Sequence, residues 1–207
     1  MPDDEESQMT ALAVEQAPEA DFETEAAKGE LLAILDSLPE SNSWRAEILD
    51  GENITVSPCP SGVHDRNIRA LERALGPYLP EGMDYAGNLE IRVFEPERVV
   101  VPDLFVAPVE VLTTRKNWVP PDDVALAIEV VSPGSRRNDR LLKLARYAEM
   151  SIPCYLLVDQ LEARTVVFSR PKDGEYKDSA KYEFGETFKI TDPFQAEIDS
   201  GTFIPYD

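Results

Sequence analysis

The sequence predicts a mixed α/β domain, with parallel and antiparallel strands in one sheet, and three observations carry the prediction. Residues 124–131, Val-Ala-Leu-Ala-Ile-Glu-Val-Val, form an almost continuous apolar run, the composition of a central strand covered on both faces. Residues 138–150 are amphipathic at helical spacing and lead into a second apolar run at 152–159, and a strand, helix, strand succession favours parallel pairing through a crossover. Residues 85–94 and 98–106 flank Glu95-Pro96-Glu97 and read as an antiparallel hairpin.

Taken in order, residues 1–27 carry many acids, few aromatics and no sustained periodicity, so they read as a disordered acidic tail ahead of a domain spanning residues 28–207. Leu31, Leu32, Ile34, Leu35 and Leu38 supply one face of a short helix ended by Pro39, expected to pack on the sheet. Residues 44–49 and 53–57 form a hairpin across Asp50-Gly51, where glycine tolerates positive φ. Ser61 is placed to cap a helix carrying His64, Ile68, Leu71, Leu75 and Leu79. Residues 109–122 are polar and proline-rich, the composition of a loop that could lie over a site; Trp118 in it either stacks on a base or anchors the loop. In the following helix Leu141, Leu142, Leu144, Ala145 and Ala148 form the apolar side, with Asp139, Lys143 and Tyr147 along its flank, which sets Lys143 close to the sheet but not buried. Residues 163–169 form a strand that turns at Lys172-Asp173-Gly174 toward Tyr176, Tyr182 and Phe184. A further short strand occupies 186–190, and 192–207 reads as a docked extended end.

Two acids interrupt these apolar segments. Asp103 follows Val99, Val100, Val101 and Pro102 and precedes Leu104, Phe105 and Val106, so it reads as a mid-strand acid; Glu129 is the sole charge of its run. Burying an ionised carboxylate costs several kcal/mol unless a cation, a metal or a shifted pKa compensates. Ligands of open α/β sheets collect at the carboxyl ends of parallel strands, and Glu129 lies near one.

Pro102-Asp103, Ile128-Glu129-Val130-Val131-Ser132-Pro133, then Asp139, Lys143, Tyr147 and Tyr155-Leu-Leu-Val-Asp159 together resemble the Uma-two family of PD-(D/E)XK restriction-endonuclease-like proteins. Glu47, Asp50-Gly51-Glu52, Ser57-Pro58 and His64 add to the resemblance, which covers about residues 29–170. It implies a restriction-endonuclease-like core in which Asp103 and Glu129 hold a divalent cation. The superfamily lysine belongs two residues after the glutamate, where Val131 stands, and the resemblance implies that Lys143 takes over its role. Two carboxylates suit Mg²⁺ or Mn²⁺, and with Lys143 they could support hydrolysis of a phosphodiester of DNA. Taken alone, Lys143 and Asp139 read as an ordinary i, i+4 helix pair; the whole set in this order favours function. The resemblance adds Glu47 as a candidate carboxylate, but its place in the hairpin favours an exposed strand acid. His64, the single histidine, either faces substrate or bonds a neighbouring carboxylate or water.

A single histidine excludes a two-histidine zinc site, and no Gly-x-Ser-x-Gly elbow accompanies it. Cys59 and Cys154 are far apart and read as reduced thiols; with neither a signal peptide nor a long apolar span, the expected location is cytoplasmic, with no membrane partner. The net charge of −20 argues against strong nonspecific DNA affinity. Residues 1–30 hold ten acids and one lysine, which leaves −11 on the rest. Arg136, Arg137, Arg140, Lys143 and Arg146 are expected to form a local basic cluster that softens this. The alternative is an acidic interaction module that retains the fold without cutting, a DNA mimic or a binder of basic proteins. A two-carboxylate glycosidase would need an aromatic-lined groove, which 8% aromatic residues do not suggest. Cutting both strands of DNA pairs two active sites, so a homodimer is expected.

Overall fold

The structure, a computed structural model, describes residues 29–206 apart from Glu40, Asn42, Pro60, Ser61 and Thr114. The expected tail at 1–27 and the cap at Ser61 lie outside the described residues. In chain order the elements are α1 (Glu30–Ser37), β1 (Trp44–Glu47), β2 (Thr55–Pro58), α2 (Gly62–Leu75), β3 (Met83–Ala86), β4 (Glu90–Phe94), β5 (Glu97–Val100), β6 (Leu104–Pro108), α3 (Val109–Leu112), β7 (Trp118–Val119) and β8 (Leu126–Val130). A π-helical turn (Asn138–Lys143) runs into α4 (Leu144–Glu149), followed by β9 (Cys154–Asp159), β10 (Arg164–Lys172), β11 (Glu175–Glu183), β12 (Thr187–Ile190) and β13 (Ala196–Asp199). No helix among the described residues is long and apolar enough to cross a membrane.

Every residue of β8 and β9 is buried, which sets these two strands at the centre of a six-stranded sheet of order β11-β10-β9-β8-β6-β3. They run parallel, Glu129 opposite Leu157, with the π turn and α4 as the crossover, and the remaining pairs of this sheet are antiparallel. Side-chain alternation along β8 sorts the two faces. Leu126, Ile128 and Val130 pack with Leu71 and Leu75 of α2 and with Phe188 and Ile198 of the β12–β13 hairpin. Ala127 and Val131 pack with Tyr147, Met150 and Tyr155 on the opposite face, so Glu129, between them in the alternation, faces α4. The chain after Asp192, expected to be extended throughout, contributes β13 to that hairpin, because Ala196 and Ile198 bury against the first face.

The two long strands expected at 85–94 and 98–106 are each broken, and their halves lie in different sheets. β3 pairs with β6 in the main sheet, whereas β4 pairs with β5 and, in parallel, with β7 in a three-stranded sheet. The breaks fall at Gly87 and at Pro102-Asp103. Proline has no N–H to donate to a ladder, and a Cβ at Gly87 would stand 2.8 Å from the Asp103 carbonyl oxygen, a close approach only glycine permits. Asp103 therefore sits in a bend between β5 and β6 rather than within a strand. Helix α1 packs on Ile48 and Val99 rather than on the main sheet. Residues 109–122, expected to lie over the site, fold into α3 and β7 beside the small sheet. There Trp118 meets Phe94 edge-on at 5.0 Å, with the Lys116 ammonium 4.3 Å from its ring.

Candidate active site

Asp103, Glu129 and Lys143 converge in one cavity of about 260 Å³ whose wall also includes Arg45, Glu47, His64 and Asp139. Asp103 leaves the β5–β6 bend, and its Oδ2 accepts the Val130 N–H at 2.8 Å and lies 2.8 Å from His64 Nε2 in the first turn of α2. Its Oδ1 lies 2.7 Å from Arg45 Nη1 on β1. Glu129, 1% exposed, accepts at Oε1 from Lys143 Nζ at 3.0 Å and from the Tyr147 hydroxyl at 2.5 Å. Lys143 Nζ also donates to the Val101 carbonyl at 3.0 Å and lies 3.0 Å from Glu47 Oε1 and 4.0 Å from Asp139 Oδ1.

The π turn explains a difference from the sequence reading. A π turn bonds i to i+5 and shifts the phase of the side chains that follow. Asp139, Lys143 and Tyr147 thereby face the sheet, and Leu141, expected on the apolar side, is 62% exposed. Lys143 is 3% exposed, not merely alongside the sheet, because three buried acids surround its ammonium. Glu47, expected as an exposed strand acid, is buried and accepts the Val101 N–H at 2.7 Å. His64 bonds a neighbouring carboxylate, one of the two readings available from the sequence, and does so inside the cavity. Arg45 is the residue that sequence reasoning missed. Its signal was present: Arg45-Ala46-Glu47 on a strand puts both charged residues on one face. The expected basic cluster does not converge on the cavity. Arg140 lies 2.6 Å from Asp159 and 3.0 Å from Glu162, Arg146 pairs with Glu149, and exposed Arg136 and Arg137 have no ion pair among the described residues.

Electrostatics divide the acids. Burial alone would raise the Asp103 pKa, but the His64 hydrogen bond and the Arg45 and His64 charges hold it well below the ordinary carboxylate range. Burial raises Glu129 well above its ordinary value; the Lys143 charge offsets this in part, and Asp103, Asp139 and Glu47 add to it. Burial pushes Asp139 up to about 7, with Asp103 and Glu47 contributing against Lys143. Burial opposes the Lys143 charge, yet Glu129, Glu47, Asp139 and Asp103 outweigh it and raise the ammonium above its usual range. The cavity thus sets four carboxylates against Arg45, Lys143 and one histidine, and Asp139 Oδ2 is buried with no hydrogen-bond partner. Oxygen donors in excess of cations are the donor chemistry of a hard divalent ion. Among the described residues, however, no three acid, histidine or cysteine side chains are grouped as a ready metal cage.

The family model named Uma2, described as "Putative restriction endonuclease", matches residues 30–201. Among solved structures, the chain is similar to "a putative nuclease belonging to DUF820" from Anabaena variabilis. The identity is 17%, the TM-score 0.56, and the match covers 74% of this chain and 84% of the other, a likeness of fold. No curated protein matches.

Proposed function

This chain belongs to the Uma2 family, and from that premise we propose that it is a metal-dependent endonuclease that hydrolyses phosphodiester bonds of DNA. The observation that carries the reading is Lys143, buried at 3.0 Å from Glu129 in the same cavity as Asp103, although the lysine comes from the crossover helix rather than from β8. Asp103 and Glu129 would hold Mg²⁺ or Mn²⁺, with Glu47 and Asp139 as further oxygens in the wall. When bound, such an ion supplies Lewis acidity toward a phosphate oxygen and lowers the pKa of water.

The chain's own residues do the rest. In the overall reaction water adds to phosphorus, a P–O ester bond breaks, and the departing oxygen takes a proton. Lys143 is held as an ammonium by four acids, so its role is to neutralise charge developing on the phosphoryl oxygens, not to remove a proton. Arg45, with one nitrogen on Asp103 and the rest of its guanidinium unbonded among the described residues, is placed to meet a phosphate beside it. Tyr147 and the Val130 N–H orient Glu129 and Asp103.

One observation favours the alternative of a non-cleaving interaction module: Arg45 and Lys143 already occupy Asp103 Oδ1 and Glu129 Oε1, one oxygen of each proposed metal ligand. Titrating Mn²⁺ calorimetrically into the wild type and Glu129→Gln, then incubating both with single- and double-stranded DNA, separates the two. Binding and cleavage in the wild type that vanish in Glu129→Gln support the nuclease. A wild type that neither binds Mn²⁺ or Mg²⁺ nor cuts at any salt concentration refutes it.

A further inference from the structure

A second, larger cavity of about 640 Å³ adjoins the first, and the two share Arg45 and Cys59 in their walls. Its volume falls within the roughly 300–1,000 Å³ of small-molecule sites, and its lining is unlike that of the catalytic cavity. The two acids in it, Asp36 and Glu90, are both paired with buried Arg92, whose Nη2 lies 2.6 Å from Asp36 Oδ1 and whose Nε bonds Glu90, and Arg45 balances the one negative charge that remains. What remains on offer is Trp44, half-buried at the start of β1, and the side-chain amides of Asn88 and Asn117, which are exposed at the cavity wall and have no hydrogen-bond partner among the described residues.

An aromatic face flanked by two solvent-facing amides is complementary to an uncharged planar ring bearing donors and acceptors on its edge. That is the chemistry of a nucleobase rather than of a phosphate or a carboxylate. Arg45 stands where the two cavities meet, on β1 beside Trp44. A phosphate drawn to its guanidinium would leave the attached nucleoside beside the larger cavity. We infer that this cavity is a nucleobase subsite, receiving one unstacked base next to the phosphate under attack, with Trp44 as its stacking face and Asn88 and Asn117 on the base edge. The inference rests on the nuclease reading of the neighbouring cavity. It makes single-stranded or locally opened DNA the substrate form that reaches the site, since a base within a duplex cannot enter a pocket without leaving the stack.

Trp44 and Trp118 are the two tryptophans of the chain, so Trp118→Phe leaves Trp44 as the sole tryptophan reporter. The experiment titrates this protein with a single-stranded hexanucleotide and with a hexamer of abasic sugar phosphates, equal in charge but without bases. Both are measured on ice, in EDTA and in Mg²⁺, by tryptophan fluorescence. The base-bearing hexamer is expected to quench Trp44 and to bind at least ten-fold more tightly than the abasic one, and Asn88→Ala with Asn117→Ala should abolish that difference. Equal affinities, an unresponsive Trp44, a preference that survives the double substitution, or no binding by either hexamer overturns the subsite. Base-selective binding here, with no cleavage of DNA in the Mn²⁺ incubations that test the nuclease, would leave the subsite standing and remove the nuclease reading, whereas cleavage there with no base preference here would do the reverse.

Discussion

Replacing Lys143 by methionine keeps the length of the side chain and removes the ammonium that Glu129, Glu47 and Asp139 share at 3.0, 3.0 and 4.0 Å. Removing one partner of a buried ion pair costs about 3–5 kcal/mol, because the remaining charge stays in a low-dielectric site. For a domain of this size each kcal/mol moves the melting temperature by about 2–4 °C, so a fall of about 6–20 °C is expected at pH 8. The pH dependence has a definite sign. Without the ammonium the raised pKa values of Glu129 and Asp139 rise further, and an acid with a raised folded-state pKa contributes stability at low pH that is lost as pH rises through that pKa. The deficit of Lys143→Met should therefore shrink at pH 5 and grow toward pH 8. The assay is thermal unfolding followed by circular dichroism across this range, completed by Glu129→Gln and the double variant. The double variant should be less destabilised than the two single effects combined, with a coupling of about 0.5–3 kcal/mol. A melting temperature within about 2 °C of the wild type at every pH, or strict additivity, would refute the buried network.

Three further outcomes follow, one from the same network and two from elsewhere in the molecule. Asp139, raised from 3.8 to about 7 by burial, contributes stability that is complete below pH 4 and lost as pH rises through about 7. Asp139→Asn should flatten that decline by on the order of a few kcal/mol, visible as a gain over the wild type in urea midpoints at pH 8 and little gain at pH 4. Gly87→Ala should cost about 1–3 kcal/mol by forcing a Cβ against the Asp103 carbonyl oxygen and should weaken Mn²⁺ binding, whereas Gly76→Ala, with open space around it, should retain it. Cys154 is buried, its thiol pushed up to about 12 by burial with Asp192 adding, while Cys59 is exposed. A thiol reagent at pH 8 should therefore titrate one cysteine in the native chain and both after unfolding, and Cys59→Ser should leave none reactive before unfolding.

Much of the fold was legible where one physical signal dominated. The apolar run around Glu129, the amphipathic segment after it and the next apolar run specified the parallel β8–β9 unit, because burial on both faces requires that composition. The Asp50-Gly51 connection and the turn at Asp173-Gly174, where both residues have positive φ, were legible from turn chemistry. Where two signals competed, the local one misled. Apolar and aromatic residues on either side hid the breaks at Gly87 and Pro102-Asp103, which depend on how closely two backbones approach. A helical periodicity of 3.6 hid the π turn, and so placed Leu141 inward and Lys143 at the rim.

The candidate site divides in the same way. From the sequence alone came the central strands and the acids Glu129 and Asp103 as residues needing an explanation, since an unpaired charge in or beside an apolar run is anomalous whatever the fold; Lys143 came from the family resemblance, since by its spacing it reads as an ordinary helix pair with Asp139. Only the tertiary structure decided what answers those charges. Arg45 and His64 on Asp103, Lys143 and Tyr147 on Glu129, and the burial of Glu47 and Asp139 join β1, α2, the β5–β6 bend, β8 and the crossover helix. Each of these pairings spans between 14 and 58 residues of chain. Electrostatic partnership depends on distance in space, and separation along the sequence does not encode it.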